Sequence, residues 1–174
     1  MPDMGIIDPF QEPKRKNRWV LEFVNAPELA GIELALKTAA LPQVSFERHE
    51  VHRKNERYYV AGKPEYGTLE FSFYSFQGDL NDGGRLVYEW LKKIYDPSTD
   101  GDMGLKGPTS GAGYAVEATM NLQGPTGEVI ESWRYRGMWP TEINYDGLDY
   151  SDSGPIMISV TCSIDKAIRQ ALNV

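Results

Sequence analysis

The chain has one cysteine, Cys162, so no disulfide can form within it, and only two histidines, His49 and His52. Unpaired cysteine is among the most buried residue types, and Cys162 falls in phase with Ile158 and Val160, so it reads as a small core hydrophobe. No apolar run approaches the length of a membrane span, and MPDMGIIDPFQEPKRKNR lacks the apolar stretch of a signal peptide. The expectation is a soluble protein that stays in, or is released from, a cytoplasm. Basic excess is missing too, since 18 Lys plus Arg against 25 Asp plus Glu give a formal charge of −7. Such a chain grips nucleic acid poorly through phosphates, although like charge lets it surround nucleic acid without sticking.

Chemistry-bearing constellations are equally scarce. His49 and His52 stand three apart in a strand-like run, on opposite faces, whereas zinc proteases need histidines four apart on a helix. The segment Gly78 to Gly84 is rich in glycine but lacks the spacing and the lysine of a phosphate loop. Asp96, Asp100 and Asp102 lack the terminal glutamate of a calcium loop. Asp146, Asp149 and Asp152 read as surface turns, not a glycosidase pair. No serine or cysteine has a local base. The residues predict no enzyme, no metal and no cofactor.

What is present is alternation. Ile156, Ile158, Val160, Cys162 and Ile164 fall on one face of a strand, with Met157, Ser159, Thr161, Ser163 and Asp165 on the other. Trp19, Leu21 and Phe23 face inward on a first strand, and Ile32, Leu34 and Leu36 alternate with charge on a second. Leu69, Phe71 and Phe73 oppose Thr68, Glu70 and Ser72. Tyr114, Val116, Ala118, Met120 and Leu122 oppose Glu117, Thr119 and Asn121. Glu128 to Met138 forms a further strand that runs into a Gly137-Met138-Trp139-Pro140 corner. One helix interrupts, capped by Asn81 or Asp82 and ended by Asp96-Pro97, with Leu86, Val87, Trp90, Leu91 and Ile94 as its apolar stripe.

The expected architecture is one domain over residues 1–174, mainly β, an antiparallel sandwich or partial barrel with one α-helix. Residues 1–15 read as an extended arm, and 44–66, strand-like but strongly charged, as a projecting ribbon. Residues 97–111 read as a flexible connection, and 166–174 as a helical-looking tail. Two basic clusters, Lys14-Arg15-Lys16 and Arg53-Lys54 with Arg57, are candidates for contacts between copies.

Leu36-Lys37-Thr38-Ala39-Ala40-Leu41-Pro42, Arg136-Gly137-Met138-Trp139-Pro140-Thr141 and the closing Ile158–Asp165 strand resemble the tail tube proteins of contractile-tailed bacteriophages. Chain length, strand order and the single mid-chain helix agree with that family; Met138 departs from its corner motif. The resemblance implies a structural virion protein assembled in a host cytoplasm, with hexameric rings stacked into a hollow tube for DNA ejection. Each subunit would add four strands to a barrel of about 24 completed on hexamerisation. Glu117, Thr119, Asn121, Ser159, Thr161 and Ser163 would then face the lumen, where DNA passes without specific binding. Lys14, Arg15, Lys16, Arg53, Lys54 and Arg57 would meet neighbouring subunits or rings, and Glu89, Lys92 and Lys93 the tail sheath. Baseplate and tail-terminator proteins are the further partners it implies.

A tube of a type VI or extracellular contractile injection system, passing proteins, is the alternative within that class. From a different class, Trp133, Tyr135, Trp139 and Tyr145 could form the stacking platform of a monomeric carbohydrate-binding β-sandwich.

Overall fold

A computed structural model describes residues 14–78, 81–98 and 113–170. Residues 1–13 of the arm, most of the 97–111 connection with Asp100 and Asp102, and the last four residues of the tail lie outside these.

The chain is mainly β and antiparallel. Its strands are β1 (Trp19–Phe23), β2 (Leu36–Ala39), β3 (Val44–Arg53), β4 (Glu56–Tyr66), β5 (Leu69–Tyr74), β6 (Val116–Gln123), β7 (Val129–Tyr145), β8 (Met157–Ser163) and β9 (Lys166–Gln170). A short helix α1 (Ile32–Ala35) precedes β2, and α2 (Gly83–Ile94) lies between β5 and β6. Among the described residues the main sheet runs β1-β6-β7-β8-β5-β2, with β9 also beside β7, while β3 and β4 pair only with each other.

The 17-residue strand β7 divides the main sheet into halves. Its first part, to Met138, pairs with β6 and β9; its last part, from Trp139, pairs with β8. We call these the β6 half-sheet (β1, β6, β7, β9) and the β8 half-sheet (β2, β5, β8, β7). Among the described residues no closed barrel forms. Both halves turn their apolar faces onto one core: Leu21, Ala118, Met120 and Tyr135 from the first, Phe71, Phe73, Ile158, Val160 and Cys162 from the second. Each large apolar side chain buried there contributes roughly 1.5–3 kcal/mol.

Helix α2 covers the apolar face of the β8 half-sheet. Leu86, Val87 and Trp90 are buried, the Trp90 ring meets Phe23 edge-on at 5.8 Å, and its indole N–H donates to the Tyr114 carbonyl at 2.9 Å. Asp82 caps the helix, accepting from the Gly84 and Arg85 amides at 3.1 and 3.2 Å. The same carboxylate accepts from the Ser75 hydroxyl and the Phe76 amide, and so ties the helix start to the end of β5. Burial alone would raise the Asp82 pKa; the Ser75 hydroxyl and the three amides outweigh it and hold the carboxyl below the ordinary range.

Four expectations are corrected here. Ile32 to Leu36 is not one strand: Gly31, at φ 93°, lets a helical turn start, and Ile32 and Ala35, three apart, are buried together while Leu34 is 68% exposed. The Gly137–Pro140 corner does not end its strand. Gly137 adopts φ 64° at an irregularity where Tyr135 to Met138 opposes Ala118 to Val116, one extra residue on β7, and pairing continues past it. The bulge explains why Tyr135 and Met138, three apart, both face the core. The tail is strand rather than helix over Lys166–Gln170, because its backbone extends the path of β8 along the first part of β7. Finally, Trp133, Tyr135, Trp139 and Tyr145 make no stacking platform. Tyr135 is fully buried, Trp133 packs against the core, Trp139 meets the Tyr114 ring at 5.6 Å, and Tyr145 alone is exposed.

Two substitutions test this account by urea denaturation. A Cβ at Gly137 would strain the left-handed backbone and run into the Asp165 carboxylate, so Gly137→Ala should cost about 1–3 kcal/mol. Asp82→Ala should cost about 1–2 kcal/mol at neutral pH. A folded pKa below the unfolded one means the Asp82 contribution is complete above the unfolded value and fades as pH falls through the folded one, so the deficit should shrink below about pH 4.

Candidate functional site

The polar face of the β8 half-sheet is built by period two. Opposite the buried Phe71, Phe73, Ile158, Val160 and Cys162, the outward positions of four adjacent strands line up in register. Thr38 of β2 pairs with Ser72 of β5, Ser72 with Ser159 of β8, and Ser159 with Asn144 of β7. Glu70, Thr161 and Glu142 make the next row. Glu70, Ser72, Glu142, Asn144, Ser159 and Thr161 line a shallow groove of about 300 Å³. Lys37, at the β2 margin, reaches over the Tyr74 ring and contacts the Met157 sulfur. The face is a strip of hydroxyls, amides and two carboxylates with a lysine at its edge.

The β6 half-sheet carries a different polar face. Glu117 accepts from Arg134 Nε at 3.1 Å and lies 3.8 Å from Arg136. Thr119 sits across from Arg134, and Asn121 across from Ser132, whose hydroxyl lies 2.7 Å from the Asn121 amide oxygen. Glu131 pairs with Lys14 and with Arg169 at 3.2 Å, and accepts from the Trp133 indole at 2.7 Å. The six residues read as one lumen surface are therefore not gathered into one patch. Ser159, Thr161 and Ser163 lie beside the last part of β7, and Glu117, Thr119 and Asn121 beside its first part. Thr38, Glu70, Ser72, Glu142 and Asn144, which sequence reasoning did not select, join the first three. For Glu70 and Ser72 the signal was available, because they alternate with Leu69, Phe71 and Phe73.

Among the described residues the β8 half-sheet has two unpaired margins. β2 ends the strand order, and β7 beyond Pro140 pairs with β8 on one side only. From the β2–β5 margin the β3–β4 ribbon continues the same hairpin, since the Gly67 amide donates to the Gln43 carbonyl at 2.9 Å and Val44 pairs with Tyr66. Its tip, Lys54-Asn55, holds Lys54 at φ 56°. Val44, Phe46 (62% exposed), Tyr58, Tyr59 and Val60 are open to solvent on it. A two-stranded ribbon is marginal alone. Arg48 stacks on Tyr59 at 4.2 Å, and Glu50 lies 3.5 Å from Arg57 and 3.6 Å from His52. Arg53 and Lys54 stand at its far end.

On α2, Glu89 and Lys92 pair at 2.7 Å on the side turned away from the core. Lys93 does not join them as a free outer charge. It pairs with Glu28 in the helical turn Pro27–Leu29 and so fastens α2 to the segment before α1. Among the described residues no cluster of three or more His, Cys, Asp or Glu could hold a metal ion, and no helix is long and apolar enough to cross a membrane. Cys162 is buried, and burial pushes its thiol well above the ordinary range.

No protein-family model matches the chain, and no curated protein matches it in sequence. Solved structures do match in fold. The sheath–tube complex of an extracellular contractile injection system (PVC) in its extended state aligns with a TM-score of 0.68 at 14% identity, over 94% of this chain and 95% of that one. The tube-terminating cap of the anti-feeding prophage aligns with 0.70 at 16% identity, over 99% and 100%. The SPP1 tail tube aligns with 0.51 at 11% identity, over 92% and 80%. The chain thus has the fold of tail tube and injection-system tube structures.

The two faces of β8 are separable by neighbouring substitutions. Ser159→Lys should change stability by less than about 0.5 kcal/mol, and Val160→Lys should cost more than about 4 kcal/mol or prevent folding, as read by thermal melting. Equal tolerance at both positions would show that the assigned faces are wrong.

Proposed function

We propose that this chain is the tube subunit of a contractile tail or contractile injection machine, a structural protein without enzymatic activity. The observation that supports it best is a four-stranded half-sheet, dry on one face and wet on the other, with neither margin paired among the described residues. An open edge is a liability that closure into a ring of copies removes. The likeness in fold to tube and cap structures supports the same reading.

In this reading the β8 half-sheet lines the bore. With strands spaced ~4.8 Å and tilted ~35°, about 24 strands give a backbone diameter of roughly 45 Å. Side chains ~5 Å deep on each wall narrow it to about 35 Å, wide enough for a hydrated duplex. Duplex DNA carries a charge every ~1.7 Å, so a basic wall would hold it along its length. Thr38, Ser72, Ser159, Asn144, Thr161 and Ser163, with Glu70 and Glu142, offer a wall it slides past. The β6 half-sheet, with Arg134 and Arg136, suits a lumen less well, and Glu117, Thr119 and Asn121 are reassigned to contacts outside the bore. Helix α2 packs on the opposite side of the β8 half-sheet from this wall, so Glu89 and Lys92 turn outward, toward a sheath. The exposed apolar ribbon, with Arg53, Lys54 and Arg57 near its tip, reaches a neighbouring subunit or ring. A single domain with a projecting ribbon over 44–66 completes the assignment, and baseplate and terminator proteins close the tube ends.

The sequence resemblance favours a phage tail and DNA as cargo. A second reading, a tube that passes proteins, draws on the higher TM-scores to the injection-system tube and cap. The contents of purified particles distinguish the two.

Purified protein at high concentration should form rings and tubes with a bore of about 35 Å by negative-stain electron microscopy. A monomer at every concentration overturns the proposal. Replacing Arg53, Lys54 and Arg57 together by Glu should leave a folded monomer that no longer polymerises. Unchanged tubes would remove the ribbon from the assembly contacts.

A further inference from the structure

One loop and one groove take no part in the bore wall or the ribbon. The β7–β8 loop, residues 146–156, carries Asp146, Asp149 and Asp152 and no lysine or arginine. Its carboxylates shape it from within: Asp149 accepts from the Ser151 amide at 2.8 Å, and Asp152 from the Gly154 amide at 2.8 Å. Two large apolar side chains nevertheless point into water, Leu148 at 84% exposure and Tyr150 fully exposed. A turn held rigid by its own polar groups, presenting Leu and Tyr at its surface, has the makeup of a docking element.

The groove lies between β1 and β2, where the edges of the two half-sheets face each other. It measures about 550 Å³ and its floor includes Trp19, Leu41 and Leu122. Lys14, Arg15, Lys16 and Lys37 stand on its walls against a single carboxylate, Glu131. Lys14 is paired with Glu131, while Lys37 lies against the uncharged Tyr74 and Met157, so Lys16 and Lys37 leave the rim basic. An apolar floor with a cationic rim matches an acidic loop with an apolar tip.

We propose that the 146–156 loop of one copy docks into the β1–β2 groove of the next copy around the ring. This rests on the tube reading and specifies the lateral contact within it. The loop leaves the β8 half-sheet at its β7 margin, and the groove opens at its β2 margin. Those are the two margins that ring closure sets side by side. The contact is heterologous, loop to groove in one rotational sense, which is the kind that builds rings instead of pairs. Leu148 and Tyr150 enter the groove, while Asp149 and Asp152 meet Lys14 and Lys16 at its rim. Charge at that rim fixes orientation and partner choice more than affinity.

The test uses the full chain. A loop variant, Asp149→Lys with Asp152→Lys, and a groove variant, Lys14→Glu with Lys16→Glu, are each checked for folding by circular dichroism. Each alone should raise the concentration needed for assembly by about tenfold or more in sedimentation velocity. The variant combining all four substitutions should recover assembly. A mixture of the two separate variants should also recover assembly, with the two alternating, since the basic loop meets the acidic groove and the acidic loop meets the basic groove. Single variants that assemble like the parent chain, or a four-fold variant that fails to recover while folded, overturn the inference. Unchanged assembly in the groove variant would assign the groove to some other occupant, such as residues 1–13, and overturns it too. If the parent forms tubes in those cases, the tube reading survives; a parent that is monomeric at all concentrations removes both.

Discussion

Side-chain alternation along β8 governs most of what this molecule can do. Ile158, Val160 and Cys162 are buried in the core, and Ser159 and Thr161 between them stay wet. A slip of one residue against β5 or β7 would bury the hydroxyls and expose the aliphatics together. Burial therefore enforces the register, and the register in turn aligns Thr38, Ser72, Ser159 and Asn144 into a row that no single strand specifies. The same constraint keeps the wet face small and polar, because nothing there has to pack.

Strand β7 extends that constraint across the molecule. A regular strand of 17 residues would keep one parity facing the core throughout. The extra residue at Gly137 switches the parity after Tyr135, so Met138 is buried and the strand can serve two half-sheets around one core. Asp165 holds the bend from the other side, its amide donating to the Arg136 carbonyl at 3.0 Å. The glycine matters because an αL position beside a carboxylate leaves no room for a side chain.

Much of this was legible from the residue order. Alternation located β1, β5, β6 and β8 with the correct buried face, and Asp82 with the Leu86–Val87–Trp90 stripe located α2 and its cap. The unusual charge of 44–66 marked a segment with little to bury. Four features were hidden for identifiable reasons. Ile32 and Leu36 fit a strand and a helix equally well until Gly31 adopts its left-handed conformation. Proline normally ends a ladder, yet Pro140 pairs with Cys162 in β7, next to an irregularity between Pro140 and Glu142 of the kind that tolerates proline. The two polar triads looked alike in composition, and only the pairing along different parts of β7 shows that they occupy different places. Lys93 likewise looked like an outer charge until the turn at Pro27–Leu29 brought Glu28 beside it.

The open margins connect the fold to assembly. A chain this rich in strand, with β2 and the end of β7 unpaired among the described residues and a ribbon showing Phe46, Tyr58 and Tyr59 to water, would aggregate if its edges met at random. Each edge is instead flanked by something that limits the partner. The β2 margin carries a basic-rimmed groove and the root of the ribbon, and the β7 margin carries an acidic loop. Like margins repel, since two basic grooves or two acidic loops facing each other bring like charges together. Unlike margins attract, and their union uses one surface of each kind per copy. A contact of that sort cannot terminate in a pair. In the proposed tube such a contact closes on itself as a ring or continues as a filament, and never stops at two copies.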